Sequence, residues 1–559
     1  MSKQTSPAVT EETARRKWDS ELEDQIAENN LIRNRSGIAI KPLYTPDDWE
    51  TASNQDKLGY PGQYPLTRGI HASMYRGRPW SQRLVVGLGL PEDYNKRMRA
   101  LYNDGAEGLY VAPCNSHMRG FDANQVDPEL LGTCGTVINT IDDFEICLSD
   151  LPIESQSLSL GDTAPFTLSA MLLALAKKRD IPWDQLRGTT NQSDYLSHLA
   201  ALHMFFRLSL PGARRLLLDH VEFMAQHAPK WNGLSVVGQH IQQAGATPAE
   251  AMALTLCSAI QHVDDLTSRG LDPDAFLPRI SFFFDISISF FEEIAKFRAG
   301  RRIWSRITNE RFKARDPRSW RMRFHGQTSG ADLTRQQPMN NITRVAIQAM
   351  AGVFGGLQSL HTDAYDEAIA SPSEDSARIA INTQNILREE AHLDQVIDPL
   401  GGSFYIETLT DEMEAQILSI MEKIEEAGGM YKAVETGVVQ EMIGRSAMSY
   451  QNEMEAGQQK QIGVNAYQQP GEGTVQIPTP QRLSEDRIAD YLCKLEKFKA
   501  TRNSTEVEAA LKSFSKSFTV DGANTFEGVV KAVEAGATHG EICQAARDAV
   551  GAGQPNVSF

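Results

Sequence analysis

Between about residues 83 and 361, eight short apolar runs alternate with stretches of helical periodicity. The runs fall at 83–89, 108–113, 158–162, 188–191, 234–239, 280–285, 322–326 and 356–361. Between them, segments such as "PEDYNKRMRALYNDG", "TPAEAMALTLCSAIQHVDDLTSRG" and "SISFFEEIAKFRAGRRIWSRITNERF" carry apolar residues at helical spacing. Eight strands alternating with helices predict an α/β chain folded as a (β/α)8 TIM barrel. After the eighth run there is no room for a ninth before the chain changes character. A doubly wound sheet competes, but it calls for a glycine-rich turn after the first strand, and "VVGLGLPED" offers only a loose GxG.

Around this rhythm the chain divides into three. Residues 1–59 are polar and charged, with one helix expected near 12–29 and no core of their own. Such an arm either stays loose or lies on another subunit. Residues 60–400 carry the barrel. Residues 401–559 read as a helical C-terminal region, interrupted by the polar linker "QQPGEGTVQIPTPQ" at 468–481. At 559 residues the chain is too long for one ordinary core. The formal charge of −17 argues against nucleic acid as a partner. Six cysteines form no CxxC pair and no His/Cys metal spacing, so they read as reduced thiols. No leader-like start and no membrane-length apolar run appear, which predicts a cytoplasmic protein without membrane partners.

A barrel carries its chemistry at the C-terminal ends of its strands. Read there, the sequence offers Val85, Pro113–Asn115, Gln192, His240, His325 with Gln327, and His361 with Glu367 nearby. No carboxylate pair suits glycoside hydrolysis, and there is no HxH pair, no Schiff-base lysine and no Ser-His-Asp set. Neutral hydrogen-bonders, histidines and apolar side chains suit a protein that orients and protects while a cofactor reacts. A second signal is the stretch "YPGQYPLTRGIHASMYRGRPWSQRLVVGLG", with four arginines among aromatics and glycines before an abruptly apolar end. In an acidic chain, such a cluster is either a solvated basic loop or the wrapping of an anionic ligand.

The motifs "GRPWSQR", "KWNGLSVVGQHIQQAGAT", "FLPRISFFF", "RFHGQTSG", "QSLHTDAYDEAIASPSEDSARIAINTQ" and "VIDPLGGSFYIE" recur here in order. Over about residues 60–467 the chain closely resembles the large subunit of adenosylcobalamin-dependent acyl-CoA mutases, the group of the methylmalonyl-, isobutyryl- and 2-hydroxyisobutyryl-CoA mutases. The resemblance implies an isomerase in which a radical shifts the CoA-thioester carbon to the adjacent carbon. The family's cobalamin signature, DxHxxG, does not occur in the sequence. The implied assembly is therefore a heterodimer or heterotetramer with a separate small cobalamin-binding subunit.

The resemblance also implies roles. His71, Ser73, Met74, Arg78, Ser81 and Arg83 would line the CoA arm, with Arg279, Ser281 and Arg318 completing the anion site. His325, Gln327 and Ser359 resemble further CoA-arm contacts. His240 would hydrogen-bond the thioester carbonyl and Gln192 would help to hold it. Glu367 matches the carboxylate that accepts from the adenosyl ribose, and Asp363 stands where the family usually has asparagine. Gly330, Ala368 and Ala370 would let the corrin ring approach.

Three positions depart from the methylmalonyl and hydroxyacyl patterns. Val85 replaces a tyrosine that contacts the substrate carboxylate, and Ala112 replaces the aspartate of the hydroxyacyl enzymes. The arginine anchor for the carboxylate falls on Leu202 or His203, with Arg207 a substitute only if the helix is rebuilt. Tyr110, bulkier than the family's serine, and Gln239, in place of an aromatic, reshape the walls. These changes predict an enlarged apolar pocket and an apolar or branched acyl-CoA. The alternatives are methylmalonyl-CoA or a larger dicarboxylic acyl-CoA reaching His203 or Arg207, and a catalytically silent barrel that binds CoA or a partner.

Overall fold

The structure, a computed structural model, describes residues 11–25, 32–50, 53–83, 87–103, 108–203, 208–469 and 482–554. Its central strands are β1 (Ser81–Gln82), β2 (Leu109–Val111), β3 (Ser157–Gly161) and β4 (Arg187–Asn191). They continue with β5, in two segments (Trp231–Asn232 and Leu234–Val237), β6 (Ile280–Ile286), β7 (Phe324–Thr328) and β8 (Ser359–His361). Every recorded pairing among them is parallel and follows chain order from β2 to β8, and β8 pairs back onto β1. At the β1–β2 seam, a Cβ added to Gly87 would lie 2.8 Å from that of Ala112, so the chain leaving β1 touches the end of β2. This is the predicted (β/α)8 barrel.

The expected first strand shifts. Pairing lies at Ser81–Gln82, and the Arg83 amide donates to the Leu360 carbonyl. Leu84, Val85 and Val86 lie outside the described residues. The paired residues are polar, and Ser81 faces the barrel axis. The last expected strand is shorter than its run, because Gly356 turns at φ +83° before Ser359.

Some helices begin at side-chain caps. Thr247 and Glu250 make a reciprocal capping box ahead of Pro248–Ser268, whose apolar face is wholly buried. The helix Phe290–Arg306 buries Arg298 and Arg302, which pair with Glu407, Asp411 and Glu414 of the helix Phe404–Glu426. That second helix is therefore part of the barrel's outer layer. Its Leu409, Met413 and Ile417 share one core with the strands.

The N-terminal arm contains the helix Glu11–Gln25, close to the expected one. Residues 32–50 and 53–58 rest on this chain's own barrel. The Ser36 amide donates to Glu292 at 2.8 Å, and Trp49 and Leu58 are buried. A few anchoring side chains thus dock a segment whose composition is otherwise polar.

Candidate active site

A barrel axis is ordinarily filled by layers of branched aliphatic side chains. Here the inward positions carry Ser81, Ser159, Thr189, Asn191, Asn232, Ser235, Ser281 and Ser359, and they leave a channel of about 430 Å³. The outward neighbours Leu158, Leu160, Val236, Phe282 and Phe284 are buried against the helices. The two-residue period of a strand thus puts apolar side chains in the protein core and small polar ones around a tunnel.

The channel opens at the N-terminal ends of the strands, among His71, Arg78, Arg279, Arg318, Arg321 and Arg323. Burial, with Arg279 and Arg321 close by, pushes Arg323 down to about 10. Burial and the charges of Arg318 and Arg187 also lower Arg279. Like charges held together in this way favour an anionic ligand. Arg318 is exposed and pairs with Asp316 at 2.6 Å. Deeper in, Arg83 donates to Ser157 Oγ at 2.9 Å, while its buried Nε has no hydrogen-bond partner. Met74 and His325 line the same wall, and His325 Nδ1 is 2.8 Å from Ser359 Oγ. Ser73 precedes a short helix and does not line the channel.

At the C-terminal ends of β4 and β5, His240 Nε2 donates to Gln192 Oε1 at 2.6 Å. A carbonyl oxygen only accepts, so the proton sits on Nε2. Desolvation and neighbouring His203 hold the His240 imidazole well below its ordinary pKa, and the ring is neutral. His203 stacks on it, with centroids 4.3 Å apart. Gln239 is buried beside His240, and Tyr110 projects into the channel with burial pushing its phenol up to about 12. Leu202 turns outward at φ +52° and is 42% exposed. Val85 and Arg207 lie outside the described residues. The arrangement is a neutral hydrogen-bond donor and an amide next to Asn191, which lines the arginine-mouthed tunnel. It can polarise a carbonyl without carrying charge itself.

A second cavity of about 340 Å³ lies beside β1, β2 and β8, lined in part by Gly87, Ala112, His361, Glu367 and Ala370. Desolvation there, with Asp363 nearby, pushes the Glu367 carboxyl up to about 7, although the side chain reaches solvent through the cavity mouth. Burial opposes protonation of His361, but its 3.1 Å contact with Asp363 and the charge of Glu367 raise its pKa. Gln327 turns to this side and donates to Asp363 Oδ1 at 3.1 Å; it does not line the channel. Asp363 Oδ2 is buried without a hydrogen-bond partner, 3.7 Å from where a Cβ of Gly330 would sit. Ala368 is exposed nearby. Among the described residues no cluster of His, Cys, Asp and Glu could hold a metal ion.

Sequence reasoning missed Ser159, Thr189, Asn232 and Ser235, whose signal was their alternation with buried apolar neighbours. It also missed His198, whose Nε2 lies 3.4 Å from Gln192 Oε1. A lone histidine in a short helix carries no such signal.

Among the described residues, no helix is long and apolar enough to cross a membrane. Residues 33–552 match the family model described as methylmalonyl-CoA mutase. The chain is 36% identical over 508 residues to the 2-hydroxyisobutanoyl-CoA mutase large subunit of Aquincola tertiaricarbonis, covering 90% of this chain and 89% of that protein. It is 37% identical over 534 residues to the methylmalonyl-CoA mutase of Cereibacter sphaeroides, covering 94% and 74%. The mitochondrial methylmalonyl-CoA mutase of Homo sapiens is 35% identical over 541 residues, covering 96% and 71%. With its parallel barrel and a match over nearly its whole length, the chain belongs to the methylmalonyl-CoA mutase family of cobalamin-dependent isomerases.

Proposed function

We propose that this chain is the substrate-binding subunit of an adenosylcobalamin-dependent mutase acting on an apolar or branched acyl-CoA. The observation that carries the reading is the polar tunnel running from an arginine mouth to Tyr110 and Asn191, the residue next to Gln192, whose side chain meets the neutral His240. Arg78, Arg279, Arg318, Arg321 and Arg323 would hold the phosphates of CoA, and Ser and Thr hydroxyls would line its pantetheine arm. His240 Nε2 and the Gln192 amide would take the thioester oxygen and stabilise charge there as the group migrates. A similar relative carries the words "large subunit" in its name, which supports a separate partner subunit; the missing DxHxxG signature makes that partner the one to carry cobalamin.

The residues around the second cavity suit the cofactor. The unpartnered Asp363 Oδ2 and the Glu367 carboxyl would accept from ribose hydroxyls, and Gly330 leaves room for close approach. When bound, adenosylcobalamin supplies the radical that starts the rearrangement. The barrel excludes water and quenchers around it. His203 is a poor anchor for a dicarboxylic substrate, because desolvation pushes it down to about 4 and leaves it uncharged at neutral pH; Arg207, the other anchor for that reading, lies outside the described residues. A catalytically silent barrel would have no use for the paired His240 and Gln192.

Reconstitution with a cobalamin-binding subunit and adenosylcobalamin tests the reading. Isobutyryl-CoA and longer branched acyl-CoAs are expected to turn over faster than methylmalonyl-CoA, and the chain alone to turn over none. Preference for methylmalonyl-CoA overturns the substrate class, and turnover by the chain alone overturns the two-subunit arrangement.

A further inference from the structure

Gln192 occupies the end of β4 with φ +67°, in the left-handed region, and its amide N–H is held by its neighbour Asn191 Oδ1 at 3.0 Å. Its side chain is buried and receives two donors on one oxygen. His240 Nε2 lies at 2.6 Å and His198 Nε2 at 3.4 Å. Both imidazoles therefore present an Nε2 proton to Gln192 Oε1, and the side-chain amide Nε2 makes no hydrogen bond among the described residues.

The two histidines are not equivalent. His240 is the group that must turn to an incoming carbonyl, and in doing so it leaves Gln192 Oε1. Were His240 its sole donor, the buried oxygen would then lose its partner, and nothing would oppose a flip of the amide. A flipped amide would offer its oxygen to the thioester oxygen, which repels it. His198 remains in place. It is buried on the helix Tyr195–Ala200, whose N-cap, Asp194, accepts from the Leu196 amide at 3.1 Å and the Val237 amide at 3.3 Å. His262 Nε2 donates to the same carboxylate at 2.8 Å. The helix that carries His198 is thereby fixed to β5, the strand that leads to His240.

We propose that His198 is a positioning residue: it holds the Gln192 amide with its N–H2 toward the thioester carbonyl once His240 has turned to the substrate. This role rests on the reading of Gln192 and His240 as the carbonyl site. It fits a chain in which three imidazoles, His198, His203 and His240, have ring centroids 4.3 to 6.4 Å apart around one amide.

The test uses the full chain without cofactor and compares binding of isobutyryl-CoA with isobutyl-CoA, the thioether that lacks the carbonyl. Wild type is expected to favour the thioester by about tenfold, the scale of one or two neutral hydrogen bonds. His198→Phe keeps an aromatic ring without the donor. It should bring the ratio near one and leave thioether affinity unchanged, while His198→Gln, whose amide can donate, should restore most of the preference. His198→Leu serves as a second non-donating variant should His198→Phe fold poorly. In a Gln192→Leu background, His198→Phe should change nothing further, because its effect passes through Gln192. A wild-type ratio kept in both His198→Phe and His198→Leu overturns the role of His198 and leaves the carbonyl site standing. A ratio near one in the wild type itself removes the carbonyl site, and the role of His198 with it.

Discussion

Leu202 and His203 adjoin in sequence and part in space. The helix Tyr195–Ala200 ends, Leu202 takes up a left-handed turn that points it outward, and His203 swings against the His240 ring. Sequence left the anchor position open between them because the gap in this segment floats; the turn decides which residue faces the site. Desolvation pushes His203 down to about 4, so at neutral pH it offers a neutral ring where a carboxylate would need a cation. A carboxylate buried without a counter-charge is strongly disfavoured. His203→Arg is expected to raise the preference for methylmalonyl-CoA over isobutyryl-CoA by about tenfold, the effect of one charge-assisted pair, with affinity for CoA itself unchanged. Binding of the three ligands by calorimetry checks this. An unchanged preference means that the acyl end of the substrate does not reach His203.

The strands explain why so much of the fold was legible and the tunnel was not. Alternation of apolar runs with amphipathic stretches located all eight strands to within a few residues, because each buries its outward face against helices. The same runs drew attention to Leu158, Leu160 and Phe282 and away from the polar residues between them, which build the site. The arginine mouth was visible as motif and charge in Arg78, Arg279 and Arg318. Arg321 and Arg323 join it only because β7 begins beside the start of β6. If the tunnel exists by virtue of small inward side chains, filling one layer should close it. Ser159 is buried on β3 and faces the channel. Ser159→Leu should weaken CoA binding by at least about tenfold without lowering the melting temperature, since a leucine at this level is what a filled barrel carries. Scanning calorimetry beside a CoA titration reads both. Tight CoA binding in this variant would show that the ligand does not pass the Ser159 layer.

At the scale of the whole chain, the helices after the barrel do not form a body of their own. Phe526 of the helix Thr525–Glu534 packs edge-on against His220 at 4.4 Å and Phe223 at 5.3 Å, both from the helix Leu210–His227. Thr525 Oγ1 donates to buried Asp219, and Lys499 pairs with buried Asp122 at 2.8 Å. His539 of the last helix stacks on His117, which follows β2, with centroids 3.5 Å apart. Ile488, Tyr491 and Leu495 complete a small second core with Leu90, Cys114 and Val137. Composition could not announce this, because amphipathic helices look alike whether they cover a neighbour or one another. The full chain should therefore melt in a single transition that CoA moves upward, by linkage to the folded state. A chain ending at Gln469 would expose Phe223 and leave Asp219 and Asp122 buried without these partners. Its transition is expected to fall by more than about 10 °C or to vanish into aggregation. Residues 482–559 supplied as a separate chain should recover part of that loss. Equal melting of the truncated and full chains would mean instead that the C-terminal helices are a separable domain, and the contacts of Phe526 and His539 would then carry no weight in holding the barrel.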